Sequence, residues 1–288
     1  MKKESFDAFV SHQLEVYTFG QGQPRMLVTA GLHGGEATGI YVANQLVEFL
    51  KDKPVQGEIK ILTCANPTAF QRLQRASPFD ELDLNRIFPG DSRGTVSQRT
   101  ADFIWNLAKE MDYIVDLHCC GSFSQSYTLA LYEEFEYARK LAELLAVPVV
   151  IESGGTRGQL FVEACHRGIP AVIIELTGGG QGGIVDLPAA EMAILAMQGL
   201  FMRLGLMEGE PVPAEPKFYG KLTPVRSTED GFYAPAVQPG EVVSQGQTVG
   251  TVDGRPVVAP FNGIAMMVRP HSYIFAGHPA VVLAPGPR

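Results

Sequence analysis

At 288 residues, with 45% apolar and 19% charged side chains, the chain is long enough for one large or two ordinary domains and too apolar to stay disordered. A net charge of −8 without any basic stripe argues against nucleic-acid binding. No apolar run reaches the roughly 20 residues that span a bilayer. The opening Met1-Lys-Lys-Glu-Ser-Phe-Asp7 lacks the apolar stretch of a secretory leader, and Cys64, Cys119, Cys120 and Cys165 offer no disulfide framework. The expectation is a cytoplasmic protein that binds neither membrane nor nucleic acid.

From Met26 to about Leu206, apolar strand runs alternate with helical stretches. Strands are expected at Met26–Ala30, Ile59–Ala65, Tyr113–Leu117, Ser126–Leu131, Val147–Ile151 and Ala171–Glu175. Helices are expected at Ala37–Leu50, Ser97–Lys109, Glu134–Leu145, Gln159–Arg167 and Pro188–Leu204. Strands separated by helices imply a largely parallel sheet covered by helices. Glu210-Pro-Val-Pro-Ala-Glu-Pro216 resists both helix and sheet and divides the chain into an α/β part, 1–209, and a β part, 210–288. The second part is short strands broken by glycine turns. It resembles the β-sandwich of lipoyl and biotinyl carrier domains, but Asp253-Gly-Arg255 and Asn262-Gly263 stand at its turns where a carrier needs a lysine. A structural module is the better reading.

Chemistry gathers at strand ends. In Gly31-Leu-His-Gly-Gly-Glu-Ala-Thr-Gly39, His33 and Glu36 lie between a strand and a helix, spaced so that one turn can aim both at one point. His118 ends the run Tyr113–Leu117. Two histidines and one glutamate make the three-ligand set of a catalytic zinc, which keeps a fourth position open. Glu175 ends a third buried run and precedes Leu-Thr-Gly-Gly-Gly180. In open α/β sheets, reactive groups collect beyond the carboxyl ends of the strands.

Gly31-Leu-His-Gly-Gly-Glu36, Asn66-Pro-Thr-Ala-Phe70, Asp83-Leu-Asn-Arg-Ile-Phe-Pro-Gly90, Asp116-Leu-His118 and Ile174-Glu175 together resemble the succinylglutamate desuccinylase/aspartoacylase family, zinc deacylases related to the zinc carboxypeptidases. The resemblance implies a twisted mixed sheet between helices with a smaller C-terminal β domain. It implies one Zn2+ per chain on His33, Glu36 and His118, and Glu175 as general base and later acid. It also implies that Asp83 orients the His33 imidazole and that Asn85 and Arg86 hold the substrate's free carboxylate. Arg75 stands where the family's carbonyl-polarising arginine is expected, with Arg72 competing for that place. Glu152-Ser-Gly-Gly-Thr-Arg157 departs from the family pattern. Arg157 is read there either as a contact for a second substrate charge or as a solvated loop residue, and the acyl group stays open.

The reading is a zinc amidohydrolase that removes an N-acyl group from a small amino acid or related amine bearing a carboxylate. Its rivals are a zinc metallocarboxypeptidase and an inactive binding protein of the same fold. Cys119 and Cys120 are read as pocket walls, and homo-oligomerisation is left open.

Overall fold

The computed structural model describes residues 1–9 and 12–287. A nine-stranded mixed sheet forms its centre. In chain order the strands are β1 (Lys2–Phe9), β2 (His12–Gln21), β3 (Arg25–Ala30), β4 (Gly57–Leu62), β5 (Tyr113–Cys119), β6 (Tyr127–Ala130), β7 (Val149–Glu152) and β8 (Ala171–Leu176). A separate two-stranded hairpin follows, β9 (Gly178–Gly179) with β10 (Ile184–Val185), and β11 (Lys217–Tyr219) returns to the main sheet. The order across the sheet is β1-β2-β4-β3-β5-β8-β6-β7-β11. Strands β4, β3, β5 and β8 are parallel neighbours, whereas β6 runs antiparallel to β8.

The helices are α1 (Ala37–Leu50), α2 (Pro67–Phe70), α3 (Val96–Ala108), α4 (Glu136–Leu145), α5 (Leu160–His166) and α6 (Leu187–Arg203). Apolar side chains at helical spacing on α1, such as Ile40, Ala43, Leu46, Val47 and Leu50, join those of α4 and α6 in a core on one face of the sheet. Side chains of α3 and α5, including Ile104, Leu160 and Phe161, form the core on the other face. Local chemistry sets the helix starts. Thr95 and Gln98 form a reciprocal capping box at α3, and the Asp186 side chain caps α6 ahead of Pro188.

The predicted strands and helices from β3 to α6 are all present, with ends shifted by a few residues. The β1–β2 hairpin was not expected. Of β2, Leu14, Val16 and Phe19 turn into the core, set among polar residues, while Lys3 pairs with Glu15 at 2.6 Å on the outer side, so the segment looks polar in sequence. Nor was β11 expected. After the irregular 210–216 stretch, three residues pair in parallel with β7 before the chain leaves the main sheet.

The remainder forms two four-stranded antiparallel sheets. One contains β12 (Thr223–Arg226), β14 (Val242–Val243), β17 (Gly263–Val268) and β19 (Pro279–Pro285); the other contains β13 (Gly231–Pro235), β15 (Thr248–Val252), β16 (Arg255–Val258) and β18 (Ser272–Ile274). Tyr233, Val243, Val249, Val281 and Leu283 fill the space between them. Asp253 and Gly254, both at positive φ (45° and 83°), make the tight turn between β15 and β16. A smaller apolar cluster, Tyr127, Ile151 and Tyr219 against Ile264, Met266 and Ala284, fastens this module to the main sheet.

The segment after β3 lies against α2 without clearance. A Cβ on Gly34 would stand 2.0 Å from the Ala69 carbonyl carbon, whereas one on Gly154 would meet nothing within 4 Å. Gly34→Ala should therefore destabilise the fold by about 2–3 kcal/mol, at the upper end for overpacking. Gly154→Ala should shift it by less than about 0.5 kcal/mol. Urea unfolding of both variants checks this, and equal midpoints would refute the tight-contact account.

Candidate metal centre

Three adjacent parallel strands, β3, β5 and β8, end at the same edge of the sheet. His118 and Glu175 are register partners there, and Ala30 on β3 is level with Leu117. Beyond Ala30 the chain turns at Gly31 (φ 68°), and the Asn66 backbone N–H donates to the Gly31 carbonyl at 2.9 Å. The Gly34 N–H donates to the Gln74 carbonyl at 2.9 Å. These bonds hold His33 in a fixed turn, and Glu36 is the residue from which α1 starts.

His33 and His118 are almost wholly buried, and their rings sit edge to face with centroids 5.0 Å apart. His33 Nδ1 lies 2.7 Å from Glu36 Oε1, and His118 Nδ1 lies 2.9 Å from Glu36 Oε2. On the far side of each ring stands a second carboxylate. Asp83 Oδ1 is 2.9 Å from His33 Nε2, and Asp116 Oδ2 is 2.8 Å from His118 Nε2. Thr29 donates to Asp116 Oδ1 at 2.7 Å, and Arg75 Nε donates to Asp83 Oδ2 at 2.8 Å. The role of Asp116 was missed in sequence. The available signal was its place two residues before His118 on one strand, which puts both side chains on the same face.

The electrostatics follow from this packing. Burial disfavours a charged His118, but Asp116 and Glu36 outweigh it and raise the imidazole well above its ordinary value. His33 is raised the same way, burial being overcome by Asp83 and Glu36. Burial would lift Glu36, yet His118 and His33 hold it down at about 2. Asp83, despite its own burial, is kept well below the usual carboxylate range by His33 and Arg75. Glu175 is the exception: burial pushes it up to about 7 against the pull of His118.

These contacts fit a metal ion. A neutral imidazole carries one N–H, yet each ring here faces a carboxylate at both nitrogens, so each must hold a second positive partner, either a proton or a cation. With Nε2–H donating to Asp83 or Asp116, both Nδ1 atoms point at Glu36. One atom each from His33, Glu36 and His118 come within 4.8 Å of one another. Glu36 Oε2 is buried and, although near His118 Nδ1, has no hydrogen-bond partner. A buried oxygen left in that state wants an electrophile. Histidines backed by carboxylates are the common arrangement around bound metals.

The centre opens into a cavity of about 470 Å³ lined by His33, Glu36, Leu73, Arg75, Cys120 and Gln181, among others. Arg75 is thus on its wall, and Arg72 is not among the lining residues. Asn85 is buried beside His118, its Oδ1 accepting from the Leu160 N–H at 2.9 Å and its Nδ2 lying 3.4 Å from His118 Nε2. Arg86 is exposed and donates from Nη1 to the Asn85 carbonyl at 2.7 Å; it does not line the cavity. Arg157 is held by Glu163 through two bonds of 2.7 and 2.6 Å. Cys119 and Cys120 do line the cavity, and burial pushes the Cys119 thiol up to about 12, which leaves it protonated and unreactive. The chain from Cys120 onward is tied to the C-terminal module: Gln125 N–H donates to the Met266 carbonyl (2.8 Å) and Val268 N–H to the Phe123 carbonyl (2.9 Å).

Known proteins place this geometry. Residues 22–199 match the succinylglutamate desuccinylase/aspartoacylase catalytic domain. Over 247 residues the chain is 33% identical to the N-alpha-acetyl-L-2,4-diaminobutyric acid deacetylase of Halomonas elongata, covering 81% of this chain and 71% of that protein. A succinylglutamate desuccinylase/aspartoacylase from Rhodobacter sphaeroides superposes with a TM-score of 0.82 at 26% identity, over 96% of this chain and 90% of that one. The product-bound ectoine utilization protein EutE (DoeB) from Ruegeria pomeroyi shares the fold at a TM-score of 0.82 and 23% identity, over 98% of this chain and 93% of that one. The matched segment runs from β3 to within α6 and contains His33, Glu36, Asp83, Asp116, His118 and Glu175. On the strength of that match and of the deacetylase relative, the chain belongs to the succinylglutamate desuccinylase/aspartoacylase family.

Proposed function

We propose that the protein is a zinc-dependent amidohydrolase that removes an N-acyl group from a small amino acid or related amine carrying a carboxylate. The observation that carries this reading is the convergence of two Nδ1 atoms and Glu36, each imidazole backed by a carboxylate, with a partly buried Glu175 beside His118 in the sheet. His33, Glu36 and His118 would hold the ion. Bound there, zinc would supply a Lewis acid for the scissile carbonyl and make water a better nucleophile near neutral pH.

The chain's own residues do the rest. Glu175, lifted to about 7 by burial, is a base poised to take a proton from the attacking water and return it to the leaving nitrogen. Asp83 and Asp116 keep the Nε2 protons, so the Nδ1 lone pairs stay directed at the centre. Arg75 is the carbonyl-polarising arginine in this reading, which its place on the cavity wall supports. Arg86 is the clamp for the free carboxylate, with Asn85 beside it; since it lies outside the cavity lining, that role requires its guanidinium to leave the Asn85 carbonyl and turn toward the centre when substrate binds. The family resemblance implies that the C-terminal module narrows the site in favour of a small substrate over a long peptide; here the module is hydrogen-bonded to Phe123 and Gln125, just beyond the Cys120–Gly121 part of the cavity wall. The Halomonas relative makes N-acetylated diamino acids the first substrates to try.

Three outcomes test the reading. The purified protein should carry about one zinc per chain, and His118→Ala should lose it, by metal analysis; full retention would remove His118 from the ligand set. Glu175→Gln should keep its zinc while turnover of N-acyl amino acids falls at least about 10²-fold, and near-normal turnover would leave Glu175 a structural residue. Arg86→Lys should weaken carboxylate-bearing substrates by about 1.5–3 kcal/mol and spare their neutral amide analogues, whereas Arg75→Lys should slow both. A panel that includes dipeptides separates the deacylase from a carboxypeptidase.

A further inference from the structure

The glycine-rich segment Gly178–Gly183 forms the β9–β10 turn over the metal centre and puts Gly178, Gly180 and Gln181 on the cavity wall. Its backbone lies against the metal-site turn and the end of β5. A Cβ on Gly179 would stand 2.8 Å from the Gly35 carbonyl oxygen and 3.1 Å from Cys119 Cβ. With positive φ at Gly178, Gly179, Gly180 and Gly183, the segment has little local preference for one shape and must be held from outside.

One hydroxyl does much of that holding. Thr38, fully buried in the first turn of α1, donates to the Thr177 carbonyl at 2.9 Å, with the Ile184 carbonyl at 3.4 Å, and accepts from the Asp186 N–H at 3.1 Å. It therefore touches both legs of the hairpin. Gly178 is seated so closely that its added Cβ would come within 2.4 Å of Thr38 Oγ1. Thr177 extends the connection, its hydroxyl donating to Asp186 Oδ2 at 2.7 Å and its N–H to Ser126 Oγ at 3.0 Å. The helix that presents Glu36 and the strand that presents Glu175 are thus joined through the base of this hairpin.

We infer that Thr38 is a positioning residue for substrate binding: its hydroxyl pins the Gly178–Val185 hairpin as the cavity wall, from which Gln181 meets the substrate. The hairpin carries neither a proposed metal ligand nor Glu175, so losing the pin weakens binding more than chemistry. Thr38→Val keeps the shape and removes the hydroxyl; Thr38→Ser restores it.

The test is hydrogen exchange of the zinc-loaded proteins by mass spectrometry, together with metal analysis and kinetics. In Thr38→Val, amides of 178–186 should exchange up to about tenfold faster, the scale of one or two lost hydrogen bonds, with zinc content unchanged. The kinetic part rests on the deacylase reading: KM for an N-acetyl amino acid should rise about fivefold with kcat within about threefold, and Thr38→Ser should return both measures toward the wild type. Unchanged exchange, loss of zinc, a fall in kcat at constant KM, or failure of Thr38→Ser to restore the hairpin would each overturn the assignment. If the wild type cleaves no N-acyl amino acid, the deacylase reading fails by itself, and the exchange comparison still decides whether Thr38 pins the hairpin.

Discussion

Glu36 offers one carboxylate to two imidazoles, and each imidazole is braced from behind by a carboxylate of its own. Buried charge on this scale is costly unless every member is paired, and here the pairing is nearly complete. That requirement dictates much of the architecture. Asp116 and His118 must share a strand face, His33 must leave an adjacent parallel strand at the same level, and Asp83 must be delivered from a separate segment. The parallel trio of β3, β5 and β8 supplies that common level.

Close approach is the second requirement, and glycine meets it. Gly34 lets the turn sink against α2, while Gly39, on α1, faces the Leu117 carbonyl, where a Cβ would stand only 2.9 Å away. The helix can then lie near enough to β5 for Glu36 to reach His118. Thr38, one residue before Gly39, points its hydroxyl the other way, into the hairpin. A single turn of α1 thereby serves the ion-pair cluster, the sheet and the cavity wall.

Much of this was legible in the sequence because the α/β part obeys strong local rules. Fully buried parallel strands read as unbroken apolar runs, as in Ala171–Ile174, and the buried stripe of α1 reads as helical spacing. The three residues that can hold a metal stood out because chemically unusual side chains fell at strand ends. What escaped depended on long-range partners. β2 hides three inward residues, Leu14, Val16 and Phe19, among polar ones, and β11 is three residues whose strand character comes from β7. Arg157 could not be placed because its fate turns on Glu163, six positions along, and Thr38 carried no chemical signal until both legs of the hairpin were beside it.

The pairing of Phe123 and Gln125 with β17 has a mechanical side. The polypeptide that leaves β5 just after His118 becomes, within one short loop, an extra rung on a sheet of the C-terminal module. The module is therefore spliced into the edge of the cavity, and the apolar contact of Tyr127 and Ile151 with Ile264 and Met266 stiffens the splice. Any displacement of the module would therefore act on Cys120 and Cys119 through continuous backbone. Sequence change on β17, far from any ionisable group of the centre, is then a route by which the cavity's outline can be retuned while the cluster around Glu36 stays untouched.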